Sequence, residues 1–258
     1  MKLDFCVVGP QRTSTTWIYE TLLKGGRVNL PIKVKETFFF DQKFKKGYSY
    51  YYNLFNNINP NLITGEIAPT YFHQNEVVER IYSHNPSCKV IIIYRDPVEK
   101  AISLYKHHYR KGRVGKDIEQ AIKKYPEIIE AGKYKDLCNT WEEKFGKQNV
   151  KIMNYKKLVL NPQFYLDEIT DFLELDKQIL SESDTRLINE ATTPRFPFLA
   201  KIFSTGASTL RKYDLHGLSS FGKKIGLTKI YSGGSSKKDY TEEKKWLNNM
   251  FQPEDFLF

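Results

Sequence analysis

Residues 3–16, LDFCVVG followed by PQRTSTT, decide the fold of this 258-residue chain. Leu3–Gly9 is a short apolar run that ends at a glycine, as expected for a buried strand. The polar segment Pro10–Thr16 follows, and an amphipathic pattern then predicts a helix over Thr15–Lys24. A strand, a polar loop and a helix in this order place the N–H groups of a helix N-terminus where an anion can bind.

Strands and helices alternate along the rest of the chain. Lys89–Tyr94 is a continuous β-branched run, typical of a strand that is covered on both faces, and Val150–Asn154 predicts a further strand. Short strands are also predicted at Val28–Leu30 and Leu62–Glu66. The alternation predicts an α/β class, a P-loop-like three-layer fold with a central, mostly parallel sheet flanked by helices. The further predicted helices are Gly47–Phe55, Gln74–His84, Val98–Arg110, Asp117–Tyr125, Tyr134–Phe145, Gln163–Leu173 and Thr241–Phe251.

Length and composition predict one folded domain. A chain of this length is long enough for one sizeable core, so we expect a single domain over 1–258, with a flexible loop or lid in the Gly-, Ser- and Lys-rich residues 203–238. The 40% hydrophobic and 14% aromatic content excludes a disordered chain. Cys6, Cys88 and Cys138 are too few and too scattered for a disulfide framework or a zinc cluster, which favours a reducing compartment.

The formal net charge of +10 indicates an anionic partner or a solvated basic face. No apolar run approaches the ~20 residues needed to cross a bilayer. The first residues are too short for the apolar region of a signal peptide and contain Asp4. We therefore expect no membrane partner and a cytoplasmic location, with a piece trimmed from a longer protein as the alternative.

The polar loop departs from an ATP-type phosphate loop, which needs G-x-x-x-x-G-K-[ST]. Counting from Gly9, the second glycine is replaced by Ser14 and the lysine by Thr15. Arg12, the hydroxyls of Thr13–Thr16 and the helix start remain, a set that suits a phosphosulfate bound without a metal. A helix cap rich in Ser and Thr, with a surface arginine, is the ordinary alternative.

A second candidate anion site follows the strand at Lys89–Tyr94. Arg95 lies at its C-terminal end, where ligands of open α/β sheets bind. Ser103 lies eight residues further on, about two turns along the next helix. The two side chains converge on one phosphate only if the chain folds back between them, so the spacing alone leaves this site open.

These segments together resemble the sulfotransferases that use 3′-phosphoadenosine-5′-phosphosulfate (PAPS), most closely the heparan sulfate, or glycosaminoglycan, branch. Gly9–Trp17 resembles the family's 5′-phosphosulfate loop, written around QKTGTT, and Arg95–Tyr105 resembles its 3′-phosphate motif, RDPxxRxxSxY. Glu36–Asp41 is similar to the branch's KExHFFD segment and Gly65–Phe72 to its EKTPxYF segment. The resemblance covers about residues 3–175.

The resemblance implies transfer of a sulfuryl group from PAPS to a hydroxyl or amine of a carbohydrate or small-molecule acceptor, with release of PAP and no metal. It implies Glu36 as the catalytic base and Arg12 as the cation that stabilises charge on the leaving phosphate. The implied nucleotide-binding residues are Gln11, Arg12, Thr13, Ser14, Thr15, Thr16, Trp17, Arg95, Ser103 and Lys237, and the implied acceptor-binding residues are Lys35, Glu66 and His73.

Three positions depart from the family pattern. Arg12 replaces the usual loop lysine, Ser14 replaces a glycine, and Ile67 replaces the lysine that follows Glu66. Two other functions therefore stay open. A P-loop-type nucleotide kinase or phosphotransferase is disfavoured by the missing loop lysine. A non-enzymatic binder of nucleic acid or anionic glycan would explain the charge but not the ordered motifs, so we expect no nucleic-acid partner. The acceptor's identity and the oligomeric state are not predicted.

Overall fold

A computed structural model gives the structure of most of the chain. The predicted lid over 203–238 lies outside the described residues except for Ser232–Gly234, so it stays a prediction. The structure describes residues 1–55, 58–185, 193–194, 232–234 and 239–256.

The chain divides into two compact units. The prediction of a single domain over 1–258 is not tested by this division and stays a prediction. The first unit comprises Met1–Pro97, Ala131–Asn189 and Gln252–Phe258, and the second comprises Val98–Glu130 and Glu190–Phe251.

A parallel four-stranded sheet runs through the first unit in the order β2-β1-β3-β4. Its strands are β1 (Phe5–Gly9), β2 (Gly65–Ile67), β3 (Lys89–Tyr94) and β4 (Val150–Asn154). All five residues of β1 are buried, as expected for a strand covered on both faces. The predicted α/β fold with a parallel sheet is confirmed. A two-stranded antiparallel pair, β5 (Thr193–Pro194) and β6 (Ser232–Gly234), lies in the second unit.

Helices follow most strands, at or close to the predicted positions. Single 3₁₀ or π turns lie at Phe39–Lys43, Phe44–Lys46, Lys147–Asn149 and Pro253–Phe256. The α-helices of the described residues are α1 (Thr15–Gly25), α2 (Gly47–Tyr52), α3 (Asn75–His84), α4 (Pro97–Arg110), α5 (Ile118–Lys124), α6 (Glu127–Glu130), α7 (Tyr134–Phe145), α8 (Tyr155–Leu160), α9 (Pro162–Leu173), α10 (Glu182–Thr185) and α11 (Thr241–Asn248).

The two faces of the sheet contribute to two apolar cores. Successive side chains of a strand point to opposite faces. Accordingly, Cys6 and Val8 pack in one core with buried residues of α3 and α7. Phe5 and Val7 pack in the other with buried residues of α1 and α9. Strand β1 therefore contributes to both cores, and the polar loop follows at the C-terminal end of this strand.

The predicted strand at Val28–Leu30 is wrong. The structure has only an isolated parallel bridge there, between Asn29 and Thr64. The Asn29 side chain donates hydrogen bonds to the carbonyls of Asn59 and Leu62, both at 2.9 Å, so this segment is tied to a loop by side-chain bonds. Sequence pattern does not show such bonds.

The second unit contains a fully buried lysine. Lys100 on α4 donates hydrogen bonds from Nζ to the carbonyls of Glu127 and Ile128, at 3.0 and 3.1 Å. Burial lowers the pKa of Lys100 to about 7.

Within the described part of the chain, no helix combines the length and the apolar character that a membrane span requires.

Candidate active site

The N-terminal loop, residues 9–16, has three residues with positive φ angles. The φ angles are +102° at Gly9, +72° at Arg12 and +60° at Ser14, a region that residues with side chains adopt rarely. Thr13 is fully buried, and its hydroxyl donates a 2.6 Å hydrogen bond to the Pro10 carbonyl. The buried Thr13 side chain therefore closes the loop from inside.

The start of α1 suits an anion. Ser14 occupies the N-cap position, and its side chain makes no capping hydrogen bond. The first N–H groups of an α-helix have no carbonyl of their own helix to bond, and the helix dipole adds positive charge there. Thr15 and Thr16 follow as the first residues of α1. The helix start thus presents backbone donors beside hydroxyl groups, as in other phosphate-binding loops.

Arg95, at the end of β3, contacts the N-terminal loop directly. Its Nη1 donates a 2.7 Å hydrogen bond to the Arg12 carbonyl, and its Cζ lies 4.8 Å from the centre of the Tyr155 ring. The Arg95 N–H donates to the Tyr134 hydroxyl at 3.2 Å. The structure therefore brings together two of the predicted nucleotide-binding arginines. Ser103 lies on α4 in the second unit, and its predicted part in the same phosphate site stays a prediction.

The turn at residues 35–41, here called the base turn, contains Glu36 and contacts the start of α1 through Lys35. The Lys35 Nζ lies 3.0 Å from the Glu36 Oε1 and 3.5 Å from the Thr15 Oγ1. The side chains of Lys35 and Glu36 are 22% and 24% exposed. One lysine thus joins the predicted base to the start of α1, and both side chains remain open to solvent.

Glu66 lies beneath the base turn and is fully buried. Its Oε1 accepts hydrogen bonds from the Thr37 hydroxyl, from the Thr37 N–H at 3.3 Å and from the Tyr71 hydroxyl at 3.1 Å. Its Oε2 accepts from the Tyr51 hydroxyl at 2.9 Å. Burial raises the pKa of Glu66 to about 7, and these hydrogen bonds limit the rise. Its predicted contact with an acceptor stays a prediction.

Comparison with known proteins identifies the family. Residues 2–195 match the sulfotransferase domain family. The chain belongs to that family. A solved structure of a sulfotransferase from Alicyclobacillus acidocaldarius aligns with a TM-score of 0.62 at 19% identity, covering 85% of this chain and 96% of that one, which supports the fold.

Among curated proteins, two relatives from Mus musculus show how far the similarity extends. Heparan sulfate glucosamine 3-O-sulfotransferase 3B1 is 26% identical over 224 residues, which is 78% of this chain and 52% of that protein. Bifunctional heparan sulfate N-deacetylase/N-sulfotransferase 4 is 29% identical over 195 residues, which is 66% of this chain and 22% of that protein. The chain therefore spans about half the length of the first relative and less of the second.

The residues of this sulfotransferase domain fit a donor with two charged ends, as PAPS has. The start of α1 supplies N–H donors and Lys35 a cation beside them, and Arg12 lies in the loop just before this helix. Arg95 supplies a second guanidinium that is bonded to the loop's own backbone. A guanidinium matches the geometry of phosphate oxygens, and N–H groups at a helix start need no metal to bind an anion.

Other residues predicted for the sulfotransferase site lie apart from these contacts. Trp17 is 2% exposed and donates from Nε1 to the Asp184 carbonyl at 2.8 Å, so its side chain belongs to the core. Gln11 is partly exposed on the N-terminal loop, and His73 is partly exposed just before α3. Lys237 lies outside the described residues. Their assigned roles toward the nucleotide or the acceptor stay predictions.

Sequence reasoning missed the hydroxyls that surround Glu66 and the ring beside Arg95. Tyr71 lies within Gly65–Phe72, a segment already matched to the family, so the motif itself contained this signal. Thr37 adjoins the predicted base. Tyr51 and Tyr155 had no signal, because only tertiary packing brings them to Glu66 and Arg95.

Proposed function

We propose that this protein is a sulfotransferase that moves a sulfuryl group from PAPS to a hydroxyl or amine of an acceptor and releases PAP. The placement of Glu36 carries the proposal. This carboxylate is joined by Lys35 to the start of α1, the part of the chain best suited to hold the donor's phosphosulfate. A base next to an anion-binding loop is what transfer from an activated sulfate to a hydroxyl requires.

Sulfuryl transfer resembles phosphoryl transfer, in which positioning and charge stabilisation dominate over covalent chemistry by the protein. PAPS, when bound, supplies the sulfuryl group. Glu36 accepts the proton of the acceptor hydroxyl as the new S–O bond forms. Arg12 and the N–H groups at the start of α1 stabilise the negative charge on the 5′-phosphate as its bond to sulfur breaks. Arg95 holds the 3′-phosphate.

A carbohydrate is the acceptor class that we favour, because the relatives described above are named for heparan sulfate. A small-molecule acceptor is the other outcome of the test below. The kinase alternative is not favoured, since Thr15 occupies the loop position where an ATP-type loop needs lysine. A cytoplasmic location is also proposed here, supported by three buried, free cysteines. Independence from a metal stays a prediction.

The test uses radiolabelled PAPS with heparan sulfate and p-nitrophenol as acceptors, beside a Mg²⁺-dependent ATP hydrolysis assay. We expect label transfer by the wild-type protein and no ATP hydrolysis. Glu36→Gln should lower kcat by roughly 10²- to 10⁴-fold, because the acceptor proton then has no base. Affinity for PAP, measured by calorimetry, should stay within about twofold.

Glu174→Gln is the matched control, because Glu174 also pairs with a lysine, Lys89, at 2.6 Å. It should transfer label at the wild-type rate. Wild-type turnover in Glu36→Gln would overturn the assignment of the base. Absence of transfer to both acceptors, together with ATP hydrolysis, would overturn the proposed function.

A further inference from the structure

Glu66 and its partners form a buried polar network that the reaction described above does not use. The carboxylate sits in the middle of β2, paired with Cys6 of β1, and has no exposed surface. An ionised carboxylate is expensive to bury unless several donors surround it. Here the donors come from Thr37, Tyr51 and Tyr71.

The network reaches the backbone of the base turn at three N–H groups, those of residues 37, 39 and 40. The Thr37 N–H donates to Glu66 itself, at 3.3 Å. The Phe39 N–H donates to the Thr37 hydroxyl at 3.0 Å, and the Phe40 N–H donates to the Tyr71 hydroxyl at 3.1 Å. Each of these hydroxyls also donates to Glu66, so the carboxylate fixes the orientation of both.

The backbone of the base turn needs this support. Phe38, between the anchored residues, has φ +53°, in the left-handed region. For a residue with a side chain, this conformation costs roughly 1–2 kcal/mol of free energy, and it persists only where surrounding contacts hold it. Glu36 is the residue immediately before Thr37, so a change in the backbone at Thr37 moves the proposed base.

We propose that Glu66 is a positioning residue that acts through Thr37 to hold Glu36 at the N-terminal loop. The proposal rests on the proposed function, because it concerns the base of that reaction. Because Glu66 has no exposed surface in this structure, we expect its effect on turnover to pass through the base turn. The contact that ties this turn to the start of α1 joins the Lys35 Nζ to the Thr15 Oγ1 at 3.5 Å, and this is the geometry that the network maintains.

The test compares Thr37→Val with Thr170→Val, in which an equally buried threonine loses a hydroxyl bonded to the Asp167 carbonyl at 3.1 Å. With radiolabelled PAPS and the acceptor that wild type sulfates, Thr37→Val should lower kcat by about a hundredfold through misplacement of the base. Its KM for PAPS and its affinity for PAP should stay within about twofold. Thr37→Ser, which keeps the hydroxyl, should restore most of the rate, and Thr170→Val should keep it.

A second comparison separates positioning from general loss of structure. If Thr37 acts only through Glu36, adding Thr37→Val to Glu36→Gln should lower kcat no further. A crystal structure of Thr37→Val with PAP should show Glu36 displaced from the start of α1, a measurement that needs no acceptor. A wild-type kcat in Thr37→Val, a further hundredfold loss in the double variant, or an unmoved Glu36 would each overturn the proposal.

These failures differ from failure of the proposed function. An active wild type whose Glu36→Gln variant is inactive, together with an active Thr37→Val, sinks only the positioning role. A wild type that transfers no sulfuryl group to either acceptor and hydrolyses ATP overturns the proposed reaction, and a fully active Glu36→Gln overturns the assignment of the base.

Discussion

The N-terminal loop and the base turn both place residues in the left-handed backbone region, yet different contacts hold them. In the loop, the hydrogen bond that closes the turn joins Thr13 to Pro10, three residues earlier. In the base turn, the bonds from Thr37 and Phe40 reach Glu66 and Tyr71, which lie 29 and 31 residues away. The bond that closes the loop is therefore local, and Arg95 adds one long-range bond to the Arg12 carbonyl. The base turn, in contrast, depends on a buried network assembled by the fold.

Replacing Gly9, which has the largest positive φ angle of the N-terminal loop, should give the largest loss of stability. At Gly9, φ is +102° and an added Cβ would lie 2.6 Å from the Pro69 Cα, so Gly9→Ala adds a backbone clash to conformational strain. We expect the free energy of unfolding to fall by about 4 kcal/mol, measured by urea denaturation. PAP affinity should fall at least about tenfold because the loop can no longer close.

Gly47→Ala is the matched control for this prediction. Gly47 also has a positive φ, +76°, but a Cβ there would meet nothing within 4 Å. Its loss of stability should therefore be the strain alone, about 1 kcal/mol. Equal destabilisation by the two substitutions would show that the contact of the loop with Pro69 does not matter.

The base turn should respond to pH through Glu66. The folded-state pKa of Glu66 is raised from 4.5 to about 7, so the folded protein holds this proton more tightly than the unfolded chain. Its contribution to stability is complete below pH 4.5 and is lost as pH rises through 7, by roughly 3 kcal/mol. Tyr51, Tyr71 and Cys6 face the carboxylate, and their raised pKa values keep them protonated over this range.

Urea unfolding of wild type and Glu66→Gln at several pH values between 4.5 and 8 measures this loss. Since the amide does not titrate, the stability of wild type relative to the variant should decline across that range. For Glu174→Gln, the stability of wild type relative to the variant should change with pH in the opposite direction. The hydrogen bond from Lys89 lowers the pKa of Glu174, so the contribution of Glu174 to stability is lost as pH falls. If the difference in free energy of unfolding between wild type and Glu66→Gln is constant with pH, burial does not raise the pKa of Glu66.

The contrast between the two regions also explains what the sequence could predict. The strands at Phe5–Gly9, Lys89–Tyr94 and Val150–Asn154 follow from apolar runs whose period and length are local properties. The N-terminal loop follows from a contiguous motif, because its shape and its helix start lie within a few residues of each other.

The part that could not be predicted depends on contacts between distant residues. Glu66 stands in a strand of only three residues, too short for a period of two to show which face is buried. A carboxylate in such a segment suggests an exposed position or a ligand contact, since buried carboxylates are rare without partners. Its partners Thr37, Tyr51 and Tyr71 are known only once the fold has brought them together.

The smallest expected effect tests whether the Ser14 side chain takes part in binding the nucleotide. Ser14 has φ +60° and its side chain makes no capping bond. Ser14→Gly should relieve strain in the folded state while adding freedom to the unfolded chain, so the free energy of unfolding should change by less than about 1 kcal/mol. PAP affinity should fall by no more than about threefold, because the N–H groups at the start of α1 remain. A tenfold loss of PAP affinity in calorimetry would show that the Ser14 hydroxyl is a ligand contact, so that backbone N–H groups alone do not account for binding at this helix start.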